Sequence, residues 1–452
     1  MTLRRILIAN RGEIAVRVIR TCQRLGIETV LAASEADLDS MGARLADRTI
    51  CIGPANSSAS YLNIEAIVAA AVTSRAGAIH PGYGFLSENQ KLAEASNHAG
   101  VIFIGPTVEQ LDAVGDKLKA RARAAAAGLA SVPGGEVRGL DEAQRLATEI
   151  GWPILIKAVG GGGGRGMKQV RDAAKLAAAM EMAMAEAQAS FGDPRLYIER
   201  YISHCRHIEV QILGDGEEVI HLGTRDCSIQ RRYQKLVEEA PAPNISETLR
   251  EEIHRAAVAF ARHLKYRSLG TVEMLVDCDR NMFYFLEMNA RIQVEHSVTE
   301  AICGLDLVEE QIAVAEGRKL RWKQYEIKFT GHAIECRINA EDWTQDFRPS
   351  PGTVGRAIFP AGQGIRVDSH IQFGATVPPY YDSLMGKLIV CGADRIEALH
   401  KLRDALANLE ITGVATNVPM HAELVRNAEF THGSVNTAFF ERFLENRNTE
   451  AV

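Results

Sequence analysis

The stretch from Phe283 to His296, FYFLEMNARIQVEH, holds the densest set of groups able to do chemistry. Read with the period of two that an extended chain imposes, it puts Leu286, Met288, Ala290, Ile292 and Val294 on one face. Glu287, Asn289, Arg291, Gln293 and Glu295 fall on the other. A half-solvated strand with paired charges would show the same alternation. Carboxylate and amide oxygens two residues apart are, however, the hard ligands that Mg²⁺ takes. Glu273, in TVEML, could bring another oxygen from a neighbouring strand. Two carboxylates and an amide so placed could hold metal ions that bridge the phosphates of a nucleotide.

A second candidate is the run Gly160 to Gly164, followed by Arg165 and Gly166. Glycine lets backbone N–H groups approach an anion closely, and several in a row make a mobile flap. Glycine runs also serve as plain linkers. Here the run follows an apolar strand, WPILIKA, whose Lys157 could reach phosphate oxygens. No Gly-Lys-Ser/Thr follows, so it is not a P-loop, and the next segment, MKQV, reads as a strand rather than the helix of a dinucleotide fingerprint. Lys117, in GDK, is a further phosphate candidate, although most lysines at helix ends are simply solvated. RDCSIQRRYQKLVEEAPAP gathers Arg225, Arg231, Arg232 and Lys235 near Gln230, which suits an anionic ligand; ion pairs to Glu238 and Glu239 are the plainer account. HPGYGFLSEN puts His80, Tyr83, Glu88 and Asn89 on a turn after a strand, where open α/β sheets bind ligands. His80, His207 and His296 taken singly read as core histidines. No Ser/His/Asp or Cys/His arrangement is suggested, and no histidine pair has zincin spacing.

The elements that must position these groups change character along the chain. Over the first hundred residues strands (RRILIAN, ETVLAAS, TICIG, AIHPG, GVIFIGP) alternate with helices, the first of which carries Ile14, Val18, Ile19, Cys22 and Leu25 on one stripe. That alternation predicts a parallel, doubly wound sheet. From about residue 115 a strong helix, DKLKARARAAAAGLA, leads into a more antiparallel pattern: RLYIERYI, HIEVQILGD, EEVIHLGTRD, then a helix over 245–266, then a hairpin of TVEMLVD and MFYFLEMN. A third region begins near 330, with strands at GHAIECRINAE, TVGRAIF, GIRVDSHI and KLIVCG and a helix at 396–409. The fold class is therefore α/β together with α+β. Domains are expected at 1–114, 115–330 and 331–452.

Composition narrows the classes. A chain of 452 residues, 46% hydrophobic and 24% charged, has material for about three domains at ~100–200 residues each. The net charge of −6 and the lack of a Lys/Arg block argue against nucleic acid as a partner. Eight scattered cysteines with no CxxC pair fit reduced thiols in the cytoplasm. No apolar run reaches the ~18 residues of a membrane span.

Taken together, IANRGEIAVR (8–17), HPGYGFLSEN, KAVGGGGGRGM, RDCSIQRR, EMNARIQVEH, ECRINAED and VPPYYDSLMGKL resemble the biotin carboxylase family of the ATP-grasp superfamily, over nearly the whole chain. The resemblance implies an ATP-grasp fold with a doubly wound N-terminal domain, a glycine-rich lid subdomain at about 130–203 and a C-terminal domain closing the site. It implies that Lys117, Lys157, His207, Gln230, Tyr233 and the lid glycines Gly162, Gly163 and Gly164 contact ATP, with Glu199, Arg200 and Ile202 at the adenine. Glu273, Glu287 and Asn289 would hold two Mg²⁺ or Mn²⁺ ions. Arg291, Gln293, Val294 and Glu295 would bind bicarbonate, Glu295 acting as the base and Lys235 joining it among the catalytic groups. Tyr83 and Arg337 would meet biotin, Arg337 stabilising its enolate. The implied reaction runs through carboxyphosphate.

The sequence shows no AMKM-like biotin site and no carboxyltransferase, so biotin is expected on a separate carrier protein, with the carboxyltransferase on another chain. Two copies of this chain are expected to form a homodimer. Acetyl-CoA or another acyl-CoA is the expected final acceptor; urea-, guanidine- and pyruvate-type complexes remain rivals, as does another ATP-grasp ligase. A degenerate binding protein is disfavoured because every proposed metal and base residue is present. An oxidoreductase is disfavoured because ANRGEIA lacks GxGxxG spacing. Three departures stand out against the family pattern: Tyr233, Ala438 in NTAFF, and Ser297, where a frequent proline is absent and a looser loop is expected.

Overall fold

Short apolar strands build the first layer. In the computed structural model, which describes residues 2–160 and 167–450, Arg5–Ile8, Glu28–Ala33, Arg48–Cys51, Ala78–His80 and Ile102–Phe103 pair in parallel. Their spatial order is third, second, first, fourth, fifth. The helix Gly12–Arg24 buries Ile14, Val18, Ile19 and Cys22, as its stripe requires. Leu25 does not join them; it lies one residue past the helix and is exposed. The first and fourth strands are neighbours whose crossovers leave in opposite directions. The loops after them, carrying Asn10 and Tyr83, thus share the crevice where such sheets bind ligands.

An eight-stranded antiparallel sheet forms the body. Its order is Met282–Asn289, Arg267–Asp277, Cys205–Asp215, Val219–Arg231, Gln234–Ala240, His332–Asn339, Leu384–Gly392, Ile365–Ser369. Strands on either side of residue 330 are hydrogen-bonded neighbours, with Val237 opposite Cys336 and Glu238 opposite Glu335. Along Cys205–Asp215, Ile208, Val210 and Ile212 pack on Ile253, Ala257 and Phe260 of the helix Glu247–His263. His207, Glu209 and Gln211 therefore point to the opposite face, where the polar cluster gathers.

A smaller unit with its own core sits above. Strands Gly134–Val137, Leu196–Arg200, Ile154–Ala158 and Lys168–Val170 form an antiparallel sheet backed by helices Leu140–Ile150 and Leu176–Phe191. Residues 161–166, with Gly162, Gly163 and Gly164, lie outside the described residues.

Some elements escaped the sequence patterns. Gln234–Ala240 is a central strand although it reads as polar, because Glu238 and Glu239 within it are buried and paired to cations. The extended reading of 283–295 fails beyond Asn289. The strand ends there, 290–294 turn, and Glu295 is the N-cap position of a new helix, His296–Cys303. No Gly or Pro marks that break. Ser297 does not loosen it: the residue is fully buried inside the helix, and its hydroxyl accepts from Lys387 at 2.9 Å.

Candidate active site

Three adjacent strands set Glu209, Glu273 and Glu287 side by side, since Glu209 is opposite Glu273 and Glu273 opposite Glu287. Like charges directly opposite one another destabilise a sheet unless compensated. Lys235, from the neighbouring hairpin, does this. Its Nζ donates to Glu209, to Glu273 at 3.0 Å and to Glu295 at 2.8 Å. Arg225, fully buried, adds bonds to Glu209 (3.0 Å), Gln211 (2.7 Å), Thr299 (3.0 Å) and Thr271 (3.0 Å). Burial alone would push the Lys235 ammonium down, but its carboxylate partners outweigh it and hold the group well above its ordinary value. Burial likewise opposes ionisation of Glu273, yet Lys235 and His207 keep its carboxyl well below the usual range. His207 accepts at Nδ1 from Gln230 (2.7 Å), which leaves its Nε2 proton facing Glu273 Oε2 at 2.8 Å.

Glu295 closes this group. It is fully buried, one oxygen accepting from Lys235 and the other from Arg337 Nη2 at 2.9 Å. Burial is again overruled, here by Lys235, Arg337 and Arg225, so its carboxyl lies well below the ordinary range. Arg337 Nε donates to Glu238 at 2.6 Å. The turn brings Arg291 and Gln293 together, with Nη1 on Gln293 Oε1 at 3.0 Å. Arg291 also donates to Asn289 Oδ1 at 2.8 Å and to Glu88 at 2.9 Å, and Glu88 accepts from Ala290 N at 2.9 Å. Val294 lies in the same turn, its carbonyl accepting from Lys387 at 2.7 Å.

On the side facing the small sheet, Lys117 opens the helix Lys117–Ala126. Burial pushes its ammonium down, while Glu287 draws it the other way. Lys157 is ion-paired to Glu199, which Arg121 also contacts at 2.8 Å. Burial would raise the Glu199 carboxyl, but those two cations hold it low. Arg200 and Ile202 follow Glu199 at the end of its strand, where Ile202 packs with Val132, Cys205, Tyr284 and Leu275. Tyr233 sits at the tip of the hairpin turn, half exposed, with Arg232 and Tyr233 both left-handed (φ +48° and +66°). Arg231 and Arg232 pair with Asp346 rather than with Glu238 or Glu239.

Tyr83 reaches the cluster from the N-terminal sheet. Its hydroxyl donates to Glu13 at 2.5 Å, and its carbonyl accepts from Asn10 at 2.7 Å. Gly82 must precede it: φ is +62°, and a Cβ there would meet Asn10 Nδ2 at 2.9 Å. His80 stays a core histidine, buried, its Nδ1 accepting from Gly82 N at 3.1 Å. His296 is buried too and faces the Gln293 carbonyl at 2.7 Å. Glu209, Glu13 and Lys387 were not singled out from the sequence. Glu209 was legible, because HIEVQI alternates His207, Glu209 and Gln211 with apolar partners. Lys387, the lone cation of a buried strand, is a similar signal.

The charge pattern fits divalent cations. Burial raises the Glu287 carboxyl and the charge of Glu273 raises it further, a repulsion that a cation between them would relieve. Carboxylate and amide oxygens from Glu273, Glu287 and Asn289 suit Mg²⁺ or Mn²⁺. Two groups bring ligand atoms within 4.8 Å of one another among the described residues, His207 with Glu209 and Glu273, and Glu209 with Cys227 and Glu295; Lys235 touches all three of these carboxylates, and Asn289 Nδ2 donates to Glu273 at 2.7 Å.

Sequence profiles match the N-terminal domain of biotin carboxylase at residues 2–111, the ATP-binding domain of the carbamoyl-phosphate synthase L chain at 116–323, and the biotin carboxylase C-terminal domain at 335–442. A biotin carboxylase of Pseudomonas aeruginosa is 49% identical over 98% of this chain and 99% of its own length. The chain belongs to the biotin carboxylase family. It is accordingly an ATP-dependent ligase with an ATP-grasp fold. A biotin carboxylase from Campylobacter jejuni, solved as a beta-gamma-ATP complex, superposes with a TM-score of 0.94 at 47% identity, covering 97% of this chain and 99% of that one. The biotin carboxylase domain of Hydrogenobacter thermophilus 2-oxoglutarate carboxylase, solved as a dimer with MgADP, ADP and bicarbonate, gives 0.94 at 44% identity over 98% of both chains. A pyruvate carboxylase subunit of Methanothermobacter thermautotrophicus is 48% identical over 97% of this chain and 90% of its own. Among the described residues no helix is long and apolar enough to cross a membrane.

Proposed function

We propose that this chain carboxylates biotin on a separate carrier protein, using ATP and bicarbonate, with the residues gathered above in the following roles. One observation carries the assignment: the buried Glu295 carboxylate is held between Lys235 and Arg337 at the end of the Arg291–Gln293 turn, beside the glutamate row. Anion clamp, base and metal-holding carboxylates thus meet in one cluster. Arg291 and Gln293 hold bicarbonate, and Glu295 takes its proton. A bicarbonate oxygen then attacks the γ-phosphorus of ATP, the bond to the ADP oxygen breaks, and carboxyphosphate forms. Lys117, Lys157 and His207 orient the phosphates, with Gln230 fixing the ring of His207. Glu273, Glu287 and Asn289 would hold Mg²⁺ or Mn²⁺, which supplies charge neutralisation at the phosphates. Carboxyphosphate then breaks at its C–O bond to CO₂ and phosphate, the phosphate takes the biotin N1′ proton, and N1′ bonds to CO₂. Arg337, a fixed cation, stabilises the enolate oxygen of biotin, and Tyr83 lines that pocket. Glu199, Arg200, Ile202, Tyr233 and the lid glycines complete the nucleotide site.

The same reading places the carrier and the carboxyltransferase on separate chains and pairs two copies of this chain as a homodimer, as the Hydrogenobacter domain is. Its eight cysteines are unpaired, which fits a reducing cytoplasm. Acetyl-CoA or another acyl-CoA is the proposed final acceptor. Near-equal identity to a pyruvate carboxylase component supports a second reading, in which the same half-reaction serves a different acceptor. The test is ADP release by the purified chain with Mg²⁺ and ATP, with and without bicarbonate and free biotin. Release that needs bicarbonate and rises with biotin supports the assignment. Release indifferent to both points to another ATP-grasp substrate.

A further inference from the structure

Lys387 belongs to no role assigned above, yet it is fully buried at the meeting point of three regions of the fold. It lies on the strand Leu384–Gly392, directly opposite Arg337. An ammonium has three N–H donors. Two of them go to the Val294 carbonyl (2.7 Å) and the Ser297 hydroxyl (2.9 Å), both on the polypeptide that forms the anion-binding turn and the helix after it. The third faces Glu13 Oε1 at 3.4 Å, on the first turn of the helix Gly12–Arg24. That same oxygen accepts the Tyr83 hydroxyl, while Glu13 Oε2 has no hydrogen-bond partner. Asp368, 4.0 Å from Lys387 Nζ, flanks the group on the next strand. A buried ammonium is costly unless every donor is met, and a methionine would fill the same space without the cost. The lysine is therefore placed for what its donors hold.

We propose that Lys387 is a positioning residue, fixing the bicarbonate turn through Val294 and the biotin-pocket Tyr83 through Glu13, so that both substrate pockets hang on one buried tether. This rests on the site assignment given above. Glu13 is the informative member, because its polar contacts are Tyr83 and Lys387 and none is with the turn. Burial raises the Glu13 carboxyl and Lys387 opposes that rise, so the two charges support each other.

The experiment is steady-state ADP release by the full chain, varying bicarbonate, biotin and ATP in turn, for wild type, Glu13→Gln, Lys387→Met and the double variant, each checked by thermal unfolding. Losing a hydrogen bond to a charged donor corresponds to about a tenfold change. Glu13→Gln is expected to raise KM for bicarbonate about three- to tenfold, and Lys387→Met to raise KM for both bicarbonate and biotin about tenfold, with KM for ATP within about twofold. The double variant is expected to be no worse than Lys387→Met alone. A Glu13→Gln enzyme with wild-type KM for bicarbonate overturns the proposal. Should Lys387→Met fail to fold, Tyr83→Phe replaces it: removal of the hydroxyl frees Glu13 and is expected to raise KM for bicarbonate in the same direction, and an unchanged value overturns the tether. A wild-type chain without bicarbonate-dependent turnover overturns the site assignment itself, and the tether with it.

Discussion

Replacing Glu295 by Gln removes one charge and almost no volume. In the wild type both carboxylate oxygens are engaged, at 2.8 Å from Lys235 and 2.9 Å from Arg337, with no solvent access. The amide keeps one acceptor and turns an NH₂ group toward the other cation, so one contact is lost and reversed. Breaking a buried ion pair on one side costs about 3–5 kcal/mol. Lys235 retains Glu209 and Glu273, and Arg337 retains Glu238, so the lower end, about 3 kcal/mol of stability, is expected. The catalytic effect is larger. A positioned general base contributes about 10²–10⁴-fold, and turnover should fall by that factor. ATP affinity should change little, because Lys117 and Lys157 are untouched. The assay pairs bicarbonate-dependent ADP release with calorimetric ATP binding. Turnover within a few-fold of wild type would refute Glu295 as the base; a parallel loss of ATP affinity would refute its separation from the nucleotide site.

Three further outcomes are expected. Arg337→Ala should depress the biotin-dependent rate more than phosphate release without biotin; equal loss in both contradicts an enolate role. Glu239, held by His332 at 2.8 Å and Arg395 at 2.7 and 2.9 Å, has its carboxyl drawn down to about 2 against the opposing effect of burial. A depressed carboxylate stabilises the fold above its unfolded value, and that contribution fades as pH falls from about 4.5 through about 2. Urea unfolding of Glu239→Gln should therefore show about 3 kcal/mol less stability than wild type at pH 7 and a shrinking difference in acid. Gly82→Ala forces a left-handed residue against Asn10 and should cost about 1–2 kcal/mol while raising KM for biotin by displacing Tyr83; an unchanged KM would remove Tyr83 from that pocket.

The parallel N-terminal sheet and the Glu287/Asn289 pair were legible because alternation and apolar runs report directly on exposure. The turn at 290–294 was not. Period two continues in the letters after the strand has stopped, and Ala290 and Arg291 carry no breaking signal. Gln234–Ala240 was hidden for the opposite reason, its glutamates being buried by cations distant in sequence, Arg337 and Arg395. Such long-range pairing is invisible to a local pattern. It also explains Ser297, which reads as a loosened loop yet is pinned by a lysine ninety residues away.

On the proposed route bicarbonate is activated by accepting the γ-phosphoryl group of ATP. The most direct test is to supply bicarbonate carrying heavy oxygen, quench within the first turnovers and weigh the phosphate released. Attack by a bicarbonate oxygen and later cleavage at carbon leave one labelled oxygen in each phosphate, which is the predicted result. Phosphate that takes its new oxygen from water instead would contradict the account.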